Sequence, residues 1–461
     1  MKERSGYVEL RLPSPVKKAI QLLEEAGYEA YCVGGAIRDF FLQKEPKDYD
    51  LATNATPKEI EIIFSAFHCI RTGLRHDTVT VHIEECFLEI TTYHCGASSI
   101  YEDLGYRDLT INSIAYFSSV GFIDPFSGIQ DIQNQILRFT GDASKRIQED
   151  PLRMMRVIRF SSQLGFSIVE NDYQQIYQFS SLLSNVSKER IRDELTKLLM
   201  YDTNGIEKLY ETGLLKRIDS SLNELFSCEQ NNPYHYTDVG HHTLDALKHL
   251  DLMLDSEEIK LSEWEEKTIR YALLLHDMGK LETKTTDEKG IDHFYHHPQS
   301  SVSMARAFLS LYRFSKAEIK RILTLIEYHD YHLSQNQKGL RKILLKHHLY
   351  PEIMRSLLIV KLCDAAAHTH SDEMIQKIYN FNKLYTEITN TRPYKISDLS
   401  INGHEILALC PGLDPLNIPL IQQECLNLVF YSPEKNTIET LSKFIEKNKN
   451  RFLHMSVLER E

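Results

Sequence analysis

Apolar positions at Val16, Ile20 and Leu23 recur at helical spacing and predict a helix over 16–26. The pattern then shortens to an apolar run, Tyr31-Cys32-Val33, that reads as a strand leading into Gly34 and Gly35. Neither glycine has a Cβ, so a ligand can come close to the backbone there. A helix with Arg38 and Asp39 in its first turns is expected next. The chain returns as a second strand, Lys47-Asp48-Tyr49-Asp50-Leu51. Thr56 as N-cap and Pro57 at the first helical position predict a helix through Phe67. Two runs rich in β-branched and aromatic residues, Thr78 to Ile83 and Phe87 to Tyr93, predict two more strands. From Asp142 to Leu164 the pattern is helical and broken at Pro151; Ser187 to Leu199 reads as a helix with a serine N-cap. Composition shifts over Ser220 to Tyr236, which marks a domain boundary.

Candidate chemistry concentrates on the second strand. In a strand, residues i and i+2 share a face, so Asp48 and Asp50 point the same way, about 6–7 Å apart. Two carboxylates on one face repel unless a cation sits between them. Paired carboxylates able to hold Mg²⁺, beside a glycine turn able to cradle a triphosphate, are the parts needed for nucleotidyl transfer. A D-x-D pattern alone equally describes solvated strand acids. The whole stretch from Tyr31 to Thr53 is more specific. It resembles the active-site signature of the polymerase-β nucleotidyltransferase superfamily, in the form carried by class II tRNA nucleotidyltransferases (CCA-adding enzymes) and bacterial poly(A) polymerases.

That resemblance implies roles for further residues. Glu89, on the Phe87 to Tyr93 strand, matches a third catalytic carboxylate; a solvent-facing strand glutamate is the alternative. Glu102 to Asn112 is similar to the family's second motif. There Arg107 would face phosphates or ribose, Asp108 would accept a ribose hydroxyl, and Asn112 belongs to the same nucleotide-binding set as Gly34, Gly35, Arg38 and Asp39. Tyr106 stands where the family has its first arginine. The turn Gly73-Leu74-Arg75-His76-Asp77 resembles a family segment in which Asp77 would be glycine. Only Cys95 to Tyr101 separates His94 from Glu102, where CCA-adding members carry a longer flexible loop. A shortened loop is typical of members that add only CC, and His94 replaces an expected arginine.

Asp150 and Arg153 match the family's base-reading motif. Three residues apart on a helix, they would lie side by side and offer acceptor and donors to a Watson–Crick edge. An ordinary surface ion pair is the alternative. Arg156 and Arg159 follow along the same helix toward phosphates. Arg190 and Arg192 fit either an RNA groove or a solvated face.

A second ligand set lies downstream. His242, His276-Asp277, His297, His329 and Asp364 mix imidazole with carboxylate, which suits a divalent transition metal. Together with Met278-Gly279-Lys280 after His276-Asp277, this order resembles the HD phosphohydrolase domain. The resemblance implies His242, His276, Asp277 and Asp364 as core ligands, with His297 and His329 as the extra histidines of two-metal members. Metal-activated water attacking a phosphoester is the chemistry implied. An inherited body whose ligands are no longer used is the alternative. Ile396 to Leu409 resembles the family's tRNA-gripping tail.

The chain's 461 residues suit roughly three domains. Hydrophobic residues at 42% and charged residues at 26% are ordinary for a soluble protein. No apolar run reaches the roughly 18 residues of a membrane span, and the first residues lack the apolar core of a signal peptide. The eight cysteines show no C-x-x-C spacing, so a reducing cytoplasm fits. A net charge of -12 argues against a nucleic-acid coat, while leaving room for one local basic surface. The expected fold is α+β. A small mixed-sheet nucleotidyltransferase head (1–140) precedes an all-α, base-reading and RNA-binding neck (141–225), an HD body (236–380) and a helical tRNA-binding tail (390–461). The expected activity is template-independent addition of C, with the terminal A left open, to tRNA 3′ ends from CTP and ATP. Mg²⁺ would sit in the head and a transition metal in the HD domain. The rivals are a poly(A) polymerase and a phosphohydrolase acting on 2′,3′-cyclic phosphates or phosphomonoesters.

Overall fold

The computed structural model describes residues 10–46, 48–72, 77–369 and 371–453. The turn at 73–76 and Lys47 lie outside the described residues. The fold is α+β, in two compact units: the chain up to Asn223 with Leu311–Arg313, and Glu224–Ser310 with the chain from Phe314 onward.

The first unit is built on a seven-stranded sheet of order β3-β4-β5-β2-β1-β6-β7. Its strands are β1 (Ala30–Val33), β2 (Tyr49–Thr53), β3 (His68–Thr72), β4 (Thr78–Ile83), β5 (Cys86–Thr92), β6 (Ala115–Phe117) and β7 (Gly121–Ile123). Only β2 and β5 pair in parallel; the other neighbours are antiparallel. Alternation decides which face is covered. On β4, Val79, Val81 and Ile83 are buried while Thr78, Thr80 and His82 are not. On β5, Leu88 and Ile90 are buried, while Phe87 and Glu89 are exposed. Helices α1 (Ser14–Glu25) and α3 (Pro57–Ile63) pack against the sheet. They seal their apolar side with Val16, Ala19, Ile20, Leu23 and Ile60. The opposite face is partly covered by a second buried cluster that includes Val33, Ala52, Ile100, Leu104 and Ala115, and its uncovered part carries the carboxylates.

Sequence and structure differ at several boundaries. The second strand starts at Tyr49, so Asp48 precedes it. The helix from Pro57 stops at Ile63, not Phe67. Its start is fixed by a capping box, in which Thr56 and Glu59 satisfy each other's backbone N–H. At its end, Phe64 turns fully into the core and the chain leaves to form β3, a strand that periodicity did not predict. Between Asp142 and Leu164 the break falls where expected. Helix α4 (Ala143–Glu149) ends before Pro151, and α5 (Arg153–Leu164) follows. Helix α6 (Lys188–Leu199) packs on α5, and Ser187 caps it.

The second unit is helical. Its centre is α7 (Val239–Asp255), α8 (Glu263–Leu275), α9 (His297–Leu311), α10 (Lys316–Tyr328) and α11 (Pro351–Ala366). Among these, α7, α8, α10 and α11 form one packed cluster. Capping boxes Ser262–Glu265 and Ser315–Glu318 start α8 and α10. Among the described residues no helix is long and apolar enough to cross a membrane. All eight cysteines are free.

Candidate functional site

The parallel register of β2 and β5 sets Asp50 directly beside Glu89. Neighbouring strands lie about 4.8 Å apart. Asp48, Asp50 and Glu89 line the same cleft, so three carboxylates meet on the open face of the sheet. Their mutual repulsion registers on Asp50. Burial raises its pKa, Glu89 and Asp48 add to this, and Arg107 and Arg38 only partly oppose it; the result is about 6.

This shift has a consequence for stability. The folded chain binds the Asp50 proton more tightly than the unfolded chain, whose aspartates titrate near 3.9. Ionising Asp50 therefore costs nothing below about pH 4 and costs stability fully above about pH 6. With a chelator present, Asp50→Asn should stabilise the protein by about 2–3 kcal/mol at pH 7.5 and by almost nothing at pH 4. Thermal melts at the two pH values check this; an equal effect at both would contradict it.

Gly34 closes the cleft from below. It adopts φ 73°, ψ −130°, a conformation that side-chain-bearing residues avoid. A Cβ there would lie 3.3 Å from Arg107 Nη1 and 3.4 Å from Asp50 Oδ2. Gly34→Ala should cost about 1–3 kcal/mol of stability and push both side chains aside, lowering activity more than Gly35→Ala does. A melt paired with a rate measurement on each variant reads both effects.

Arginines form the facing wall. Buried Arg38 donates to Asn112 Oδ1 at 2.9 Å and to Asp39 Oδ1 at 2.8 and 3.0 Å. Asn112 in turn donates to Asp108 Oδ1 at 3.0 Å. Arg156 reaches Asp108 Oδ2 at 2.7 and 2.8 Å. Burial alone would raise the Asp108 pKa, but the charge of Arg156 and these hydrogen bonds hold it well below the usual range. Asp108 is thus the anchor of an Arg38–Asn112–Asp108–Arg156 chain. Arg107 lies 3.5 Å from Asp103, and its buried Nε has no hydrogen-bond partner among the described residues. It is the guanidinium with donor capacity to spare.

The base-reading pair is arranged differently from a side-by-side helical pair. Asp150 sits outside both helices, on extended backbone (φ −147°, ψ 98°), because Pro151 breaks the helix. Its carboxylate takes a two-point contact from Arg190 at 2.7 and 3.1 Å. Arg153 donates instead to the Tyr106 carbonyl at 2.7 Å and to Glu149 at 2.9 Å. Arg159 pairs with buried Glu194 at 2.5 Å and lies over the Phe160 ring at 4.1 Å. Tyr106, Asp150, Arg153, Arg159, Phe160 and Arg190 line a cavity of about 640 Å³ that also contains the three carboxylates. The short segment after His94 is a turn with Cys95 at positive φ. His94 Nδ1 lies 2.7 Å from Asp103, which also contacts Arg107.

In the second unit the six expected ligands converge at helix ends. His242 is in the first turn of α7 and His297 begins α9. His276 and His329 follow the last residues of α8 and α10, and Asp364 lies near the end of α11. The Nδ1 atoms of His242, His276, His297 and His329 each face a backbone carbonyl, at 3.3, 2.7, 2.9 and 2.7 Å. That fixes the proton on Nδ1 and leaves Nε2 as a free donor for metal. One Asp277 oxygen lies 3.2 Å from His276 Nε2; the other lies 3.3 Å from His297 Nε2. Asp364 Oδ1 is 2.9 Å from His242 Nε2. Both Asp277 oxygens and His276 Nε2 are buried without a hydrogen bond among the described residues, although Lys280 Nζ stands 2.7 Å from Asp277. Unsatisfied buried ligand atoms in this arrangement fit a bound cation.

Residues 30–138 match the family model "Poly A polymerase head domain". Residues 165–225 match "Probable RNA and SrmB- binding site of polymerase A", and 239–369 match "HD domain". A CC-adding tRNA nucleotidyltransferase of Halalkalibacterium halodurans is 39% identical over 205 residues, 43% of this chain and 53% of that protein. A CCA-adding enzyme of a Geobacillus species is 39% identical over 243 residues, 48% of this chain and 60% of that one. The matched stretch thus spans little more than half of these relatives. The crystal structure of the Bacillus stearothermophilus CCA-adding enzyme in complex with CTP superposes with a TM-score of 0.64 at 25% identity, covering 95% of this chain and 99% of that one.

The chain carries a poly A polymerase head domain, that polymerase's RNA-binding segment and an HD domain.

Within that head domain lie the three carboxylates, Gly34, Arg38 and Arg107. Asp150 and Arg153 fall between the head match and the next one. Two residues of the HD region escaped the sequence reading. His235 and His368 place ring nitrogens within 4.8 Å of one another and of His242. His368 was detectable, four residues after Asp364, although the helix ends at Ala366 and His368 lies just beyond it. His235 sits in a segment whose composition marks it only as a boundary.

Proposed function

We propose that this chain is a template-independent tRNA nucleotidyltransferase that adds C from CTP to tRNA 3′ ends. The observation that carries the reading is the meeting of Asp48, Asp50 and Glu89 beside an arginine-lined cavity. Hard carboxylate oxygens held close together, one of them reluctant to ionise, fit Mg²⁺. When bound, Mg²⁺ supplies activation of the terminal 3′-hydroxyl and neutralisation of the triphosphate. Asp48 and Asp50 would hold it, with Glu89 beside them. Arg107, with its unpartnered Nε, binds the triphosphate. Arg38 and Arg156, fixed by Asn112 and Asp108, present cations that need no reorganisation. Asp150, oriented by Arg190, and Arg153 present acceptor and donors to one base edge.

The short turn after His94 favours a CC-adding enzyme. Incubation of tRNA lacking its 3′ CCA with each NTP separately should extend it with C and not with A. Long A tails would overturn the reading in favour of a poly(A) polymerase. A second reading concerns the HD site alone: metal-dependent hydrolysis of a phosphoester. It rests on the unsatisfied Asp277 carboxylate between two histidine pairs.

A further inference from the structure

The cleft has two lobes that share Asp48, Asp50, Glu89, Gly35 and Arg38. They differ in chemistry. The lobe already described is walled by Arg107, Arg153, Arg156, Arg159, Arg190 and Lys197. That excess of cations suits the charge of a nucleoside triphosphate. The other, of about 670 Å³, is lined by Phe87, Tyr201, Leu164, Gln163, Lys44 and Tyr49. Among the described residues its only lysine or arginine besides Arg38 is Lys44. A triphosphate has no reason to prefer it.

Phe87 and Tyr201 are 62% and 53% exposed. Apolar rings are not left in water by a cleft wall without cost. Phe87 shares a face of β5 with Glu89. Its ring is backed by His82, stacked at 4.5 Å with an interplanar angle of 23°. Such a ring is a preformed shelf for a nucleobase, because every base has a π-face. Tyr201 follows the end of α6, its N–H bonded to the Leu198 carbonyl at 3.1 Å, and lines the same lobe.

In phosphoryl transfer the attacking and leaving oxygens lie roughly in line. With the triphosphate in the arginine lobe, the attacking 3′-hydroxyl enters across the shared carboxylates from the opposite side. Resting on the nucleotidyltransferase reading, we propose that Phe87 and Tyr201 stack the last bases of the RNA 3′ end and so position its hydroxyl over Asp48 and Asp50. Lys44 contacts the phosphate between them. The bond formed joins the RNA 3′-oxygen to the α-phosphorus as the bond from that phosphorus to the oxygen bridging to the β-phosphorus breaks; the hydroxyl proton passes to solvent, and pyrophosphate leaves into the arginine lobe.

The test is steady-state kinetics with tRNA lacking its 3′ CCA and with CTP, each varied in turn. Wild type is run first. If it adds no nucleotide, the transferase reading itself fails and the proposal with it. If it adds C, Tyr201→Ala and Phe87→Ala should each raise KM for the RNA about five- to a hundredfold, with KM for CTP moved less than about twofold. Tyr201→Phe and Phe87→Tyr should restore the wild-type value, which a merely structural role would not require of both. An unchanged KM for RNA in the doubly substituted protein would overturn the proposal. So would a rise confined to the KM for CTP, which would reverse the assignment of the lobes.

Discussion

Asp50→Asn is expected to lower kcat for C addition by about a thousandfold or more. On the proposed reading, losing one of the two carboxylates that would hold Mg²⁺ removes several kcal/mol of transition-state stabilisation, and each 1.36 kcal/mol is tenfold in rate. The same substitution removes a carboxylate that burial, with Glu89 and Asp48 adding to it, lifts to about 6. The variant should therefore be more stable and nearly inactive, a combination that a damaged fold cannot produce. A rate assay and a melt on one preparation check it; a variant that loses activity and stability together would contradict the account.

The second large effect concerns stability. Glu194→Ala should destabilise the first unit by about 3–5 kcal/mol, because it leaves the Arg159 guanidinium buried without its counter-charge. Arg159 is 7% and Glu194 3% exposed, so water cannot take the place of the lost partner. Replacing both residues with leucine should cost much less than Glu194→Ala alone, since no uncompensated charge remains. Arg190→Ala, at a half-exposed pair, should stay within about 1 kcal/mol in stability. Its effect belongs to the orientation of Asp150 and should appear as a loss of discrimination between CTP and other nucleotides. Chemical denaturation of the three variants separates these cases.

How much of this was legible depends on how far apart the partners lie in the chain. That Asp48 and Asp50 share a cleft could be read from their spacing, although β2 starts at Tyr49 and only Asp50 lies within the strand. The role of Glu89 could only be suggested. Its place beside Asp50 depends on a parallel pairing between strands separated by an intervening hairpin, and no local pattern encodes that register. The partner of Asp150 was misjudged for a related reason. Helical spacing pointed to Arg153, but Pro151 takes Asp150 out of the helix, and the side chain that reaches it is Arg190, forty positions on. β6 and β7, at three residues each, are too short to show a period. That the histidines and aspartates of the HD domain would converge was legible despite their separation, because residue type and order carried the signal where spacing could not.

The central claim is that the carboxylate face of the sheet transfers nucleotides to RNA. The most direct measurement is gel analysis of tRNA lacking its 3′ CCA after incubation with the protein, Mg²⁺ and labelled CTP. The account predicts products one and two nucleotides longer with wild type and unextended RNA with the Asp48→Ala, Asp50→Ala double variant. Equal extension by the two proteins, or none by wild type, would contradict it.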